Sequence, residues 1–167
     1  MQNYSDKLIQ QLCVPKHVIK LSVYKTVVQS TLLYACATWA VPQVLLDNLE
    51  SFQMRCLRKI CKLSLRHRVR NEHILDMCKI EMVRDLVSYR RLQWLGHVAR
   101  MNDDRLPKQL LFHQMKAAEK RPGRPIKSWL DYVRADLARL QIAFSWFKMS
   151  QDREKWRNTI QTLLVHT

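Results

Sequence analysis

The spacing of apolar residues along the chain is helical almost throughout. Residues from about Pro15 to Val41 read as one long apolar helix with room for a break. Leu21, Tyr24, Val27, Val28, Leu32, Leu33, Tyr34 and Trp39 cannot all face one small bundle, and a helix apolar nearly all round is normally buried. After Pro42, Leu45, Leu49, Phe52, Cys56, Ile60 and Leu63 form one stripe, with Arg55, Arg58, Lys59 and Lys62 on the other side. Asp47 and Glu50 near its start and cations near its end follow the order the helix dipole favours. A short helix is expected from Asn71 to Lys79. Val83, Leu86, Trp94, Val98 and Met101 give the buried side of the next, stopped by Asn102 and Asp103. Pro125 suits a first helical turn before Trp129, Val133, Leu137 and Leu140. Ser150 is placed to cap a last helix burying Trp156, Ile160 and Leu164. Only two glycines and five prolines leave few hairpin turns. The expected fold is all-α, an irregular bundle of about five to seven helices, with Lys116 to Pro125 as the one plausible hinge.

Composition bounds the function. With 167 residues, 47% of them hydrophobic, the chain can build one domain or two small ones. A formal charge of +15 attracts polyanions through a long-range field and counterion release, so RNA or DNA is the first partner to consider. The bland reading is a solvated basic surface. The first residues are polar and no secretory signal is visible. The longest apolar run, Val27 to Val41, contains Gln29, Ser30 and Thr31, whereas a membrane span needs about 20 apolar residues. Five cysteines at irregular spacing form no disulfide framework. A nuclear or cytoplasmic protein is expected, neither secreted nor held in a membrane.

The strongest chemical signal is basic. No acid lies between Glu50 and Glu72, while Arg55, Arg58, Lys59, Lys62, Arg66, Arg68 and Arg70 accumulate there, enough to neutralise several phosphates at once. Arg90 and Arg91 form a second adjacent pair. The run Lys120 to Lys127, with Arg121, Arg124 and Lys127, resembles the core of an AT-hook, in which arginine enters a narrow minor groove. A loop delivering Pro125 to a helix start would use the same residues. Trp39, Trp94, Trp129 and Trp156 lie on apolar stripes and read as core rather than as base-stacking platforms; Trp146 is open to either reading. At Gly96 a close helix crossing beside a hydrogen-bonded His97 is the plain explanation. Asp103-Asp104 is the only adjacent acidic pair, and with Arg105 following it reads as a charged turn rather than a two-metal site. No catalytic residue and no cofactor is expected.

Several blocks occur in an order that resembles the carboxy-terminal region of non-LTR retrotransposon reverse transcriptases. Leu32 to Trp39 is similar to that family's LLYG-x-E-T-W segment, Met54 to Arg58 to its MRCLR, and Arg68 to Asn71 to the turn before its next helix. Arg90 to Met101 resembles its post-polymerase block, Arg121 to Asp131 its RGRP-x-x-x-W-x-D, and Asp152 to Arg157 its final D-R-x-x-W-R. The resemblance implies that residues 1–42 are the end of the polymerase thumb region and 43–167 a basic post-polymerase region. It further implies a fragment of an RNA-directed DNA polymerase, often joined to an endonuclease, that binds nucleic acid non-specifically and is itself no enzyme. Its polymerase domain would be a missing neighbour, leaving an apolar patch that favours self-association. A helical protein-interaction module from the same element is the alternative. Several lineages carry Cys-Cys-His-Cys knuckles, which would make Cys56, Cys61, His73 and Cys78 zinc ligands. Against this, two cysteines five apart on one helix point to different sides, so buried thiols are the preferred reading.

Overall fold

Every regular element among the described residues, 15–116 and 127–164 of a computed structural model, is helical, and no strand occurs among them. They form two compact units: the described residues up to Tyr34 with Gln43–Val83, and Ala35–Pro42 with the described residues from Arg84 onward.

In the first unit, helix α1 (Pro15–Val23) runs on through a π-helical stretch, Tyr24–Gln29, and a last α-turn, Ser30–Leu32. The single long helix expected to Val41 stops there. Thr26 and Ser30 hydroxyls donate to carbonyls one turn back, at Ser22 and Thr26, which competes with the regular ladder. Ala35, where the second unit's segment Ala35–Pro42 begins, takes a left-handed conformation before the 3-10 turn Cys36–Thr38. The π-stretch directs Tyr24 inward, where burial, and then the nearby Cys56, push its phenol up to about 12.

Helix α2 (Gln43–Ile60) buries Leu46, Gln53, Met54 and Leu57, leaving Leu45 and Phe52 exposed, so the expected stripe is rotated around the helix. The cause is Gln53. Its side-chain amide donates to the Glu81 carbonyl (2.7 Å) and accepts from the Val83 N–H (3.1 Å), satisfying two backbone groups inside the core. Helix α3 (Asn71–Cys78) completes this core with Ile74, Leu75 and Cys78, joined by Leu57, Cys61, Leu63 and Ile80.

Helix α4 (Val83–Ala99) is buried on several sides. Val87, Leu92 and Leu95 enter the core beyond the expected Val83 and Val98, while Leu86 and Trp94 are only half-buried. In the second unit it is surrounded by α5 (Leu106–Lys116), α6 (Trp129–Arg139), α7 (Trp146–Gln151) and α8 (Arg153–Gln161). Helices α5 and α7 have no counterpart among the expected elements; α5 starts with Pro107 in its first turn, where a missing N–H costs nothing. Helix α6 starts from Ser128; Pro125, expected in its first turn, and most of the expected Lys116 to Pro125 hinge lie outside the described residues. Ser128 and Asp131 form a reciprocal capping box, and the Ser128 N–H and then its hydroxyl hold the Asp131 carboxyl below the usual carboxylate range. Helix α8 is capped by Asp152, which accepts from the Glu154 and Lys155 N–H groups, and not by Ser150, which is buried in α7. Leu163 rather than Leu164 is the buried residue at its end.

Polar groups are also built into this second core. Asp136 accepts from Arg91 (2.6 Å) and from the Ser88 hydroxyl (2.8 Å), and Arg139 donates to Asp85 (2.6 Å). The Trp156 indole N–H donates to the Leu92 carbonyl at the point where α4 presents Gly96. Of the tryptophans, Trp146 and Trp156 are buried, and Trp94 and Trp129 pack half-buried against the same cluster.

Candidate nucleic-acid interface

The basic segment begins on the last turns of α2 and continues through the loop to α3. Arg55, Lys59, Lys62, Arg66, Arg68 and Arg70 are all exposed. None of them forms an ion pair among the described residues. Two left-handed residues shape the loop. At Lys62 (φ 56°) the helix closes with paired bonds from the Lys62 N–H to Lys59 and from the Leu63 N–H to Arg58, which turns Leu63 into the core and Lys62 outward. Ser64 caps the 3-10 turn Leu65–His67, its N–H donating to the His67 ring, and Arg68 (φ 52°) redirects the chain.

Arg58 has a different task. Half-buried, it donates to the Val69 carbonyl (2.7 Å) and to Asn71 (2.9 Å), fastening the far end of the loop back to α2. It therefore positions the loop, and the cations beside it are the ones facing solvent.

The arginine pair of α4 divides in the same way. Arg91 is only 2% exposed, bonded to Asp136 with its guanidinium 5.3 Å from the Tyr132 ring centre. A cation so enclosed is unavailable to phosphate, and this corrects its place among the expected contacts. Arg90 is half-buried with Nη1 4.0 Å from the Cys36 sulfur. Burial raises the Cys36 thiol, with Arg90 opposing. Lys127 is exposed just ahead of the Ser128 cap, whereas Arg121 and Arg124, with the rest of the AT-hook-like run, lie outside the described residues.

The four zinc candidates do not converge. Cys61 and Cys78 bring their sulfurs to 3.4 Å inside the first core, but Cys56 and His73 are not joined to them. Among the described residues no three His, Cys, Asp or Glu side chains are grouped to hold a metal ion. The thiol pair is a feature the spacing does not announce. Its one sequence signal is a repeated Cys-Lys, Cys61-Lys62 just past the end of α2 and Cys78-Lys79 at the end of α3, each cysteine directly before a left-handed lysine.

Other candidates resolve into structure. Asp103 pairs with Lys108 (2.7 Å) in the turn before α5. His97 is exposed, its ring centre 5.4 Å from that of Trp94. An apolar pocket in the second unit is lined by Thr38, Trp94, Val98, Pro107, Leu110, Leu111 and Trp129, with no charged group among them. No described helix is long and apolar enough to cross a membrane.

Comparison with known proteins gives one point of reference. Over 151 residues the chain is 24% identical to an uncharacterized transposon-derived protein of Caenorhabditis elegans, covering 86% of this chain. The likeness points to an origin in a mobile element. The chain spans 54% of that relative's length. No protein-family profile matches the chain, and no solved structure matches it.

Proposed function

We propose that the chain is a carboxy-terminal piece of a non-LTR retrotransposon reverse transcriptase and that it grips the backbone of RNA or DNA through the α2–α3 basic segment. In this reading residues 1–42 descend from the end of the thumb and 43–167 from the post-polymerase region, and chemistry belongs to a polymerase domain elsewhere in the parent protein. The observation that carries it is the exposed cluster of Arg55, Lys59, Lys62, Arg66, Arg68 and Arg70, free of ion pairs among the described residues and held on a loop fastened by Arg58. Unpaired cations at the surface can neutralise backbone phosphates and release the counterions condensed on the nucleic acid, which gives affinity without sequence preference. The transposon-derived relative and the order of sequence blocks support the same descent.

Replacing Arg55, Lys59 and Lys62 together by glutamine should reduce the slope of log affinity against log salt by up to about 0.9 per lost duplex phosphate contact. Fluorescence anisotropy across a salt series measures this, with helical circular dichroism as the control for folding. An unchanged slope removes this surface from the proposal.

A second reading, a protein-interaction module, draws on the exposed Val18, Ile19, Val23 and Val27 of α1 and its π-stretch. If that face drives association, Ile19→Glu with Val23→Glu should shift sedimentation toward monomer while leaving the salt slope untouched. A species distribution unaffected by these charges would count against it.

A further inference from the structure

We propose that Cys61 and Cys78 form a reversible disulfide, a modification site that staples the end of α2 to the end of α3 and closes the loop carrying Lys62, Arg66, Arg68 and Arg70 into a ring. The sulfurs already lie 3.4 Å apart, and a disulfide at about 2.05 Å asks for an approach of about 1.4 Å, within the reach of side-chain rotation. The residues are 17 positions apart in sequence. Both thiols are buried, yet each is followed by an exposed lysine in a left-handed turn, so the pair lies directly beneath two helix ends. Helix ends open locally far more often than helix centres, which admits a small oxidant. With no third ligand grouped beside them among the described residues, these two sulfurs are suited to oxidation rather than to tetrahedral zinc.

The two thiols are not equivalent. The two sulfurs share one S–H hydrogen bond in which either can be the donor; that bond lowers the Cys61 pKa against the opposing effect of burial, and the same bond followed by burial raises that of Cys78. The lowered pKa favours Cys61 as the thiolate that meets the oxidant, and the same disulfide forms if Cys78 is oxidised first. With hydrogen peroxide, the Cys61 thiolate attacks one oxygen, the O–O bond breaks and hydroxide leaves, giving a sulfenic acid. The Cys78 sulfur then attacks Cys61, the S–O bond breaks, and water departs with the Cys78 proton. The thiols lose two electrons in all and one peroxide becomes two waters. A dithiol reductant reverses the step by exchange. This chemistry is independent of whether the basic segment binds nucleic acid.

The test uses the full reduced chain treated with stoichiometric hydrogen peroxide, alkylated and digested with trypsin. Cleavage after Lys59, Lys62, Arg70 and Lys79 isolates Cys61 in Ile60–Lys62 and Cys78 in Asn71–Lys79, while Cys56 falls in the separate peptide Cys56–Arg58. The expected result is a linked Ile60–Lys62/Asn71–Lys79 species that dithiothreitol resolves into its two peptides. Oxidation should also raise the thermal midpoint by roughly 5–10 °C, because the ring restricts the unfolded chain. Recovery of both peptides as alkylated thiols while Cys56 or Cys36 is oxidised would overturn the proposal. So would linkage of either cysteine to Cys56 or to a second chain, or a lowered midpoint in the linked protein.

Discussion

Replacing Gly96 with alanine is expected to destabilise the protein by about 3–5 kcal/mol, through steric overlap and the hydrogen bond it displaces. A Cβ at Gly96 would stand 2.2 Å from Trp156 Nε1 and 2.5 Å from Cδ1, inside any tolerable contact. The obstacle is an indole ring and not the end of a flexible chain. Trp156 is 2% exposed and its N–H is committed to the Leu92 carbonyl at 3.1 Å, so a ring that moves aside gives up that bond within the core. Alanine gains about 1 kcal/mol over glycine in a helix interior, which the overlap exceeds. Urea unfolding measures the loss. In a Trp156→Leu background the same substitution should cost much less, since the ring it strikes is gone. A wild-type-background loss below about 1 kcal/mol would mean that α4 and α8 do not cross at this glycine.

The helical class could be read from the sequence because spacing records it; the helix ends could not. Glycine is the usual marker of a helix stop, but here Lys62, Lys79 and Gln141 occupy the left-handed position and Leu63, Ile80 and Ile142 follow them into the core. Polar residues at glycine positions carry no stop signal. The α2 stripe differs from its apolar spacing for a related reason: Gln53 is core because it serves two backbone groups elsewhere in the chain, and apolar spacing does not record that. Within the candidate interface, the Arg55 to Arg70 cluster was legible because it is contiguous in sequence. Which of its members face solvent was not. Arg58 and Arg91 look like their neighbours in sequence and differ only through partners distant along the chain, Val69 and Asn71 for one and Asp136 for the other.

Asp136→Ala should produce the second large loss, about 3–5 kcal/mol, because it strands a buried cation. The Arg91 and Asp136 side chains are 3% and 11% exposed, and their 2.6 Å contact is the only ion pair Arg91 makes among the described residues. Arg91 Nε and Nη2 are buried without a hydrogen-bond partner there, so no second acceptor stands ready to take over. The Tyr132 ring, 5.3 Å from the guanidinium, is a weak substitute for a carboxylate, worth about 1–2 kcal/mol when desolvated. The Ser88 hydroxyl loses its acceptor as well. Removing both charges is a different experiment: Arg91→Leu with Asp136→Leu should recover most of the loss, since a buried pair often contributes little beyond an apolar pair of similar volume. The same arithmetic separates structure from binding. Arg91→Gln should lower the unfolding midpoint yet leave the salt dependence of nucleic-acid affinity unchanged, whereas glutamine at Lys59 should do the reverse. A shallower salt slope in Arg91→Gln, measured well below its melting temperature, would return Arg91 to the phosphate-facing surface and refute its assignment as the core partner of Asp136.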